Sequence, residues 1–261
     1  TFIVSARQSY LQLLFKALKL PFLPTYNDFQ VKYKYDINRK NEITFIGIGA
    51  IDHMTLNKEL QTTGTESQKY ILNYLPIYEQ WNYTVGAVYK RFSDNHLDTW
   101  VLSRNMLRNK NYKFEDNNES KQKTSDYLSD EAENKLRFER DFRSLPVQLK
   151  VGGGLRYSRY VNDTYRRLYR NGSVTDLRYN TELNLFGYQL FAQVSDEYMD
   201  NRLKLSFGLN TVGNNFNQNM QNPLNQLSPR LSASYSLSGR WSINANLGRY
   251  TAQPAYTTMG F

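Results

Sequence analysis

From Arg230 to Tyr250 apolar and polar residues alternate one for one, a period of two that a β-strand satisfies and a helix does not. Leu231, Ala233, Tyr235 and Leu237 alternate with Ser232, Ser234, Ser236 and Ser238. After a turn at Gly239-Arg240, Trp241, Ile243, Ala245 and Leu247 alternate with Ser242, Asn244, Asn246 and Gly248. One face of this hairpin is apolar and ends in aromatic rings, and the other is small and polar. A soluble sandwich hides such an apolar face against a second sheet, whereas a membrane barrel turns it to lipid and keeps the polar face wet. A single hairpin fits both.

The same unit recurs along the chain. Phe2 to Tyr10 reads as a strand, and Phe29, Val31, Tyr33, Tyr35 and Ile37 alternate with Gln30, Lys32, Lys34 and Asp36. Trp81, Tyr83, Val85, Ala87 and Tyr89 repeat the pattern, as do Leu203, Leu205, Phe207 and Leu209. About eleven strands follow from such runs. Short turns are expected at 38–41, 93–96, 143–146, 197–201 and 238–240, and Asn171-Gly172 opens a further short loop. The other connections are mostly longer: an apolar stretch from Leu11 to Pro24, read as a short helix stopped by Pro21 and Pro24; a mixed loop over 58–79; a polar segment from Asn109 to Asp126; and an Asn/Gln-rich loop from Asn214 to Leu227. Outer-membrane barrels have this asymmetry, with short turns on one rim and long loops on the other. Within the strands, Gly152-Gly153-Gly154 predicts a bend or the close approach of another backbone rather than a phosphate loop. A slip in the alternation at Leu185-Phe186 predicts a β-bulge.

Composition removes several classes. A mean hydropathy of -0.67 with 22% charged residues excludes a helical membrane protein, and no run approaches the roughly 20 apolar residues of a spanning helix. Barrel strands, only half apolar, escape that test. The chain has no cysteine and two histidines, His53 and His96, so no thiolate chemistry and no recognisable zinc motif are expected. The acidic run at 115–119 lacks the glycine and terminal glutamate of a calcium loop. Net charge is +9, with Lys and Arg spread along the chain and no nucleic-acid-binding signature, so nucleic acid is not an expected partner. The chain opens on Thr1-Phe2-Ile3-Val4, a strand under way rather than a secretory signal, and is read as an internal piece of a longer protein.

Residues 20–30, 42–52 and 228–235, with Leu-Gly-Arg-Tyr-Thr-Ala-Gln-Pro-Ala-Tyr at 247–256, resemble barrel segments of TonB-dependent receptors. The resemblance implies an all-β fold: an antiparallel transmembrane β-barrel fragment over residues 1–261, half of a 22-stranded barrel in the bacterial outer membrane. It further implies import of a scarce nutrient, such as a siderophore, vitamin or glycan-type ligand, with energy from TonB. Expected partners are outer-membrane lipid, the TonB complex through an N-terminal region, a small-molecule nutrient and a surface lipoprotein. This sequence contains no plug domain and no TonB box, so plug residues cannot be assigned, and no cofactor is expected.

On that reading Tyr83, Val85, Leu205, Phe207, Leu231, Tyr235, Ile243 and Leu247 face lipid, with Trp81 and Trp241 near opposite interfaces. Lys32, Lys34, Lys150, Arg156 and Lys204 then face the lumen, where they can meet ligand or plug. A passive porin or adhesin barrel remains the alternative function. An enzyme on the barrel wall is disfavoured, because no strand carries a convincing Ser/His pair; His53 beside Asp52 reads as a girdle or loop residue and His96 as a turn residue. Phe261 reads as a truncation point rather than the aromatic end of a barrel.

Overall fold

The computed structural model describes residues 1–170 and 172–260. Eleven strands form one sheet in sequence order. They are β1 (Phe2–Gln8), β2 (Phe22–Asn38), β3 (Asn41–Leu56), β4 (Ile77–Phe92), β5 (His96–Phe114), β6 (Lys123–Phe142), β7 (Gln148–Arg170), β8 (Ser173–Tyr198), β9 (Leu203–Asn214), β10 (Leu227–Ser238) and β11 (Trp241–Gly248). Every neighbouring pair is antiparallel, and β1 and β11 are the two edges. Short helices decorate the connections: α1 (Leu11–Ala17), α2 (Leu60–Thr63), α3 (Glu66–Tyr74), α4 (Gln218–Gln221) and α5 (Tyr256–Met259).

Loop length sorts by rim. On one rim the links are tight. Asn38 pairs with Asn41 around Arg39-Lys40, where the Asn38 side chain accepts from the Lys40 amide at 2.9 Å. The β8–β9 turn places Met199, Asp200 and Asn201 at φ of 57°, 53° and 65°, a left-handed run that Asp and Asn tolerate better than most residues. The opposite rim carries α1 to α4 on its longer connections, the exception being the link between β7, which ends at Arg170, and β8, which begins at Ser173. The strands grow toward the middle of the sheet, to 23 residues in β7 and 26 in β8. About 9 to 11 tilted residues cross a bilayer, so these strands stand well clear of one.

Pairing lines up the apolar residues on one face. One ladder row runs Tyr33–Phe45–Ala87–Leu102–Leu136–Leu155–Tyr188, and another runs Val194–Phe207–Leu231–Leu247. None of the described residues covers this face: Leu102 is 60% exposed, Leu155 64% and Leu231 50%. Contiguous apolar exposure on this scale marks an interaction with a partner or a membrane. Among the described residues the sheet has no sandwich partner. The apolar cluster of Leu56, Leu60 and Leu72, with Leu75 and Ile77 packed against it, belongs instead to the long β3–β4 connection.

Four expectations need correction or qualification. Residues 58–79 are not a loop throughout, because α3 is fixed by a capping box in which the Thr65 hydroxyl accepts from the Gln68 amide and Gln68 accepts from the Thr65 amide. Pro24 does not stop a helix; α1 ends at Ala17 and Pro24 lies in β2, beyond the last β1 pair at Asn27, where the N–H it lacks is not required. The Asn109–Asp126 segment is mostly strand, with β5 running to Phe114 and β6 starting at Lys123. There is no bulge at Leu185-Phe186: β8 pairs without interruption with β7 and β9, and the slip arises because Leu185 is an apolar residue on the polar face, 4% exposed and opposite Ser158. Asn171 and Phe261, which also carried expectations, lie outside the described residues.

The triple glycine behaves as expected for close approach. A Cβ on Gly152 would stand 2.5 Å from both the Phe138 carbonyl oxygen and the Phe191 ring, and one on Gly153 would stand 2.9 Å from Leu190 Cδ2.

Candidate functional site

The polar face is the other half of the period. Lys32 and Arg156 share one ladder row, Lys32–Ile46–Gly86–Ser103–Lys135–Arg156, and the same parity places Lys34, Lys150 and Lys204 on this face. Tyr83, Val85, Leu205, Phe207, Leu231, Tyr235, Ile243 and Leu247 occupy the opposite, apolar face. Trp241 stands at the tight-turn rim, and Trp81 lies toward the long-loop rim, beside Arg108.

The five cations do not form one basic patch. Lys34 pairs with Glu42 at 2.8 Å, Lys150 with Glu139 at 3.0 Å, Lys204 with Glu197 at 2.8 Å, and Arg156 approaches Glu133 at 3.9 Å. Neighbouring strands therefore neutralise four of them, and only Lys32 lacks an ion pair among the described residues. His96 Nε2 is 3.5 Å from Asp98, whose carboxylate is held bidentately by Arg140 at 2.6 and 2.8 Å; this is a structural cluster at the tight-turn rim. His53 faces Glu79 across the β3–β4 ladder. The acidic run at 115–119 is tied off by Lys121 on Asp116 and Lys58 on Glu119.

Two features of this face went unread in the sequence. After β11 the chain turns back across the sheet as a strap. Tyr256 stacks on Tyr160 with centroids 6.0 Å apart and donates its hydroxyl to Glu133. Gln253 accepts from Arg156 and also from Asn214 at 3.4 Å, and Thr181 donates to the Gly260 carbonyl. Burial, with the Glu133 carboxylate beside it, pushes the Tyr256 hydroxyl up to about 12. The strap thus closes the polar face over β6–β9 by hydrogen bonds rather than an apolar plug.

Above the strap, toward the long-loop rim, lies a cavity of about 620 Å³. Tyr74 reaches it from the end of α3, Lys113 from β5, Tyr127 from β6, Arg166 from β7 and Tyr179 from β8. The residues come together because the long strands carry consecutive polar-face rows above the strap, Asn111–Tyr127–Thr164–Tyr179 and Lys113–Ser125–Arg166. Lys113 Nζ lies 5.4 Å from the centre of the Tyr74 ring, and neither Lys113 nor Arg166 has an ion pair among the described residues. Aromatic faces with two cations that hold no ion pair suit a flat or polyhydroxylated solute that carries negative charge. The signal in the sequence was a tyrosine-rich polar face in strands longer than a bilayer needs.

Comparison with solved structures settles the architecture. The sheet superposes on the copper transporter OprC with a TM-score of 0.63 at 13% identity, over 91% of this chain and 38% of that one. It matches the ferripyoverdine receptor of the outer membrane of Pseudomonas aeruginosa with a TM-score of 0.62 at 14% identity, over 86% of this chain and 35% of that one. For the ferric enterobactin receptor PfeA of the same organism the values are 0.62 and 14%, over 87% and 33%. The chain has the barrel fold of TonB-dependent receptors. It spans between a third and two fifths of the length of these structures. No family model and no curated protein matches the sequence. In outer-membrane barrels an outward apolar face meets lipid and each strand edge pairs with another strand.

Proposed function

We propose that this chain is part of the wall of an outer-membrane receptor that takes up a scarce, anionic small molecule with energy delivered through TonB. The apolar face meets lipid, the polar face lines the lumen, and the long-loop rim is extracellular. The observation that carries this reading is the tyrosine-lined cavity with Lys113 and Arg166, open on the polar face near the long-loop rim. A solute arriving from outside meets it first, and the strap lies on the same wall below it. A concave site with a few convergent polar groups is where a ligand binds. A wall whose cations concentrate counter-charged solutes also raises their local concentration. A passive porin needs neither the extended strands nor a strap across its lumen.

The test uses the full-length protein in a strain without competing receptors. Growth on limiting amounts of the solute should require both the protein and an intact TonB system, and Lys113→Ala with Arg166→Ala should weaken uptake at unchanged surface abundance. Sugar permeation into liposomes by the purified protein, together with growth indifferent to TonB, would establish the porin instead.

A further inference from the structure

The outer, apolar face carries arginines, and most of them hold a carboxylate, while Arg178 lies over the Tyr165 ring. Arg108 grips Asp130 with two bonds of 2.7 Å, Arg140 grips Asp98, and Arg159 bonds Glu182 at 3.0 Å. Arg104 is different. Its Nε donates to the Tyr83 hydroxyl at 3.1 Å and its Nη1 to Asn134 Oδ1 at 3.0 Å, both neutral, and it has no ion pair among the described residues. The register puts Arg104 and Asn134 side by side in the first polar row above Leu102 and Leu136, toward the long-loop rim. A guanidinium has five N–H donors. Two are used to hold its plane, and three remain, aimed from a fixed fork that suits phosphate oxygens. Tyr83 accepts from Arg104, so its own hydroxyl proton is also available.

Directly beside this fork the apolar face is grooved. A cavity of about 520 Å³ is lined by Val31, Tyr33, Phe45, Val85, Ala87 and Leu102, and its depth comes from Gly47. A Cβ there would stand 2.8 Å from Val31 Cγ1, so any other residue at 47 would crowd the groove. An apolar trough leading to an uncompensated, pre-oriented cation matches one class of molecule: an amphiphile with a phosphate at one end and an acyl chain at the other. We propose that Arg104, Tyr83, Asn134 and the groove over Gly47 form a seat for one phosphate-bearing lipid of the outer leaflet. The phosphate lies on the Arg104 fork and an acyl chain lies along Val85 and Ala87. Charge complementarity commits the groove to an anionic lipid, since the phosphate of a zwitterionic lipid is already shared with that lipid's own cation and a neutral lipid brings no phosphate to the fork.

This inference rests on the apolar face being the lipid face, and the test separates the two. Full-length protein in mild detergent is titrated with monophosphoryl lipid A, with phosphatidylcholine and with inorganic phosphate, and bound lipid is read by native mass spectrometry. The wild type should retain one lipid A in preference to phosphatidylcholine. Arg104→Gln should weaken retention at least tenfold, Arg104→Lys should weaken it less, and Ala87→Trp, which fills the groove but leaves the fork, should also weaken it. Heat-modifiable migration on gels confirms that each variant is folded. Equal retention by Arg104→Gln and wild type, no effect of Ala87→Trp, or competition by inorganic phosphate alone would overturn the lipid seat while leaving the lipid face intact. Failure of the wild type to insert into bilayers would overturn the orientation itself.

Discussion

Replacing Leu231 by arginine and, separately, Ser232 by arginine asks whether two adjacent residues of β10 face different solvents. Leu231 lies between Phe207 and Leu247 on the apolar face and is 50% exposed, with none of the described residues over it. Its neighbours along the strand on that face are Pro229 and Ala233, so it stands in the middle of the apolar band. Arginine near the bilayer midplane on a lipid face costs about 2 to 4 kcal/mol. At about 1.4 kcal/mol per tenfold, this is a drop of about 30- to 700-fold in the folded-to-unfolded ratio. Ser232 lies between Ser206 and Asn246 on the polar face, with no cation directly opposite. An arginine there projects into water and should change stability by no more than about 0.5 kcal/mol. Guanidinium titration of the full-length protein folded into phosphatidylcholine vesicles measures both. If Ser232→Arg costs as much as Leu231→Arg, or if neither costs anything, the assignment of faces is wrong.

Other consequences follow from the same geometry. Gly152→Ala should cost about 1 to 3 kcal/mol by overpacking. Removing the Phe191 ring as well should restore only part of the loss, because the Phe138 carbonyl remains 2.5 Å from the new Cβ; denaturant titration of single and double variants checks this. The Tyr256 phenol, raised to about 12 mainly by burial, favours the strapped state while protonated. That contribution is complete below the ordinary tyrosine value of about 10 and is lost as pH rises through about 12. The ultraviolet difference between wild type and Tyr256→Phe should therefore show one phenol ionising near the upper value, and ionisation near 10 would show the strap open.

The sheet was legible because its determinants are local: a period of two, tight polar turns and a strict alternation of faces survive in the sequence without knowledge of partners. The face assignment of Lys32 or Leu231 needs only parity along one strand. The state of each charge does not follow from parity. Lys34 is compensated by Glu42 and Lys150 by Glu139, residues on adjoining strands whose register the sequence does not state. The two cations of the tyrosine-lined cavity, Lys113 and Arg166, looked no different from the compensated ones for the same reason. The supposed bulge at Leu185 failed because a hydrophobic side chain on the polar face imitates a change in backbone parity. The strap was illegible because Gln253 and Tyr256 find their partners Arg156 and Glu133 far away in sequence.

The helices of the β3–β4 connection were missed although Thr-Glu-Ser-Gln at 65–68 spells a capping box, and their packing leads to a last expectation. Leu72 is fully buried and Leu60 is 2% exposed, in a cluster that meets the sheet only at the strand ends flanking the connection, Leu56 of β3 and Ile77 of β4. Asn117 Nδ2 donates to the Leu72 carbonyl at 3.0 Å, and Gln68 donates to the Lys19 carbonyl at 2.9 Å, so this unit also ties down the connections on either side. Leu72→Ala removes the centre of the cluster, at a cost of about 2 to 5 kcal/mol for a buried leucine. That cost should fall on local opening of the connection and not on the sheet, whose hydrogen bonds do not pass through it. Limited proteolysis tracks the open population when opening and closing are fast, so cleavage between residues 57 and 76 should accelerate by at least about tenfold. Strand melting, followed by circular dichroism in vesicles, should stay within about a degree of wild type. A fall in strand melting that keeps pace with loop cleavage would mean that the rim and the wall unfold together, and the independence of the loop core would be wrong.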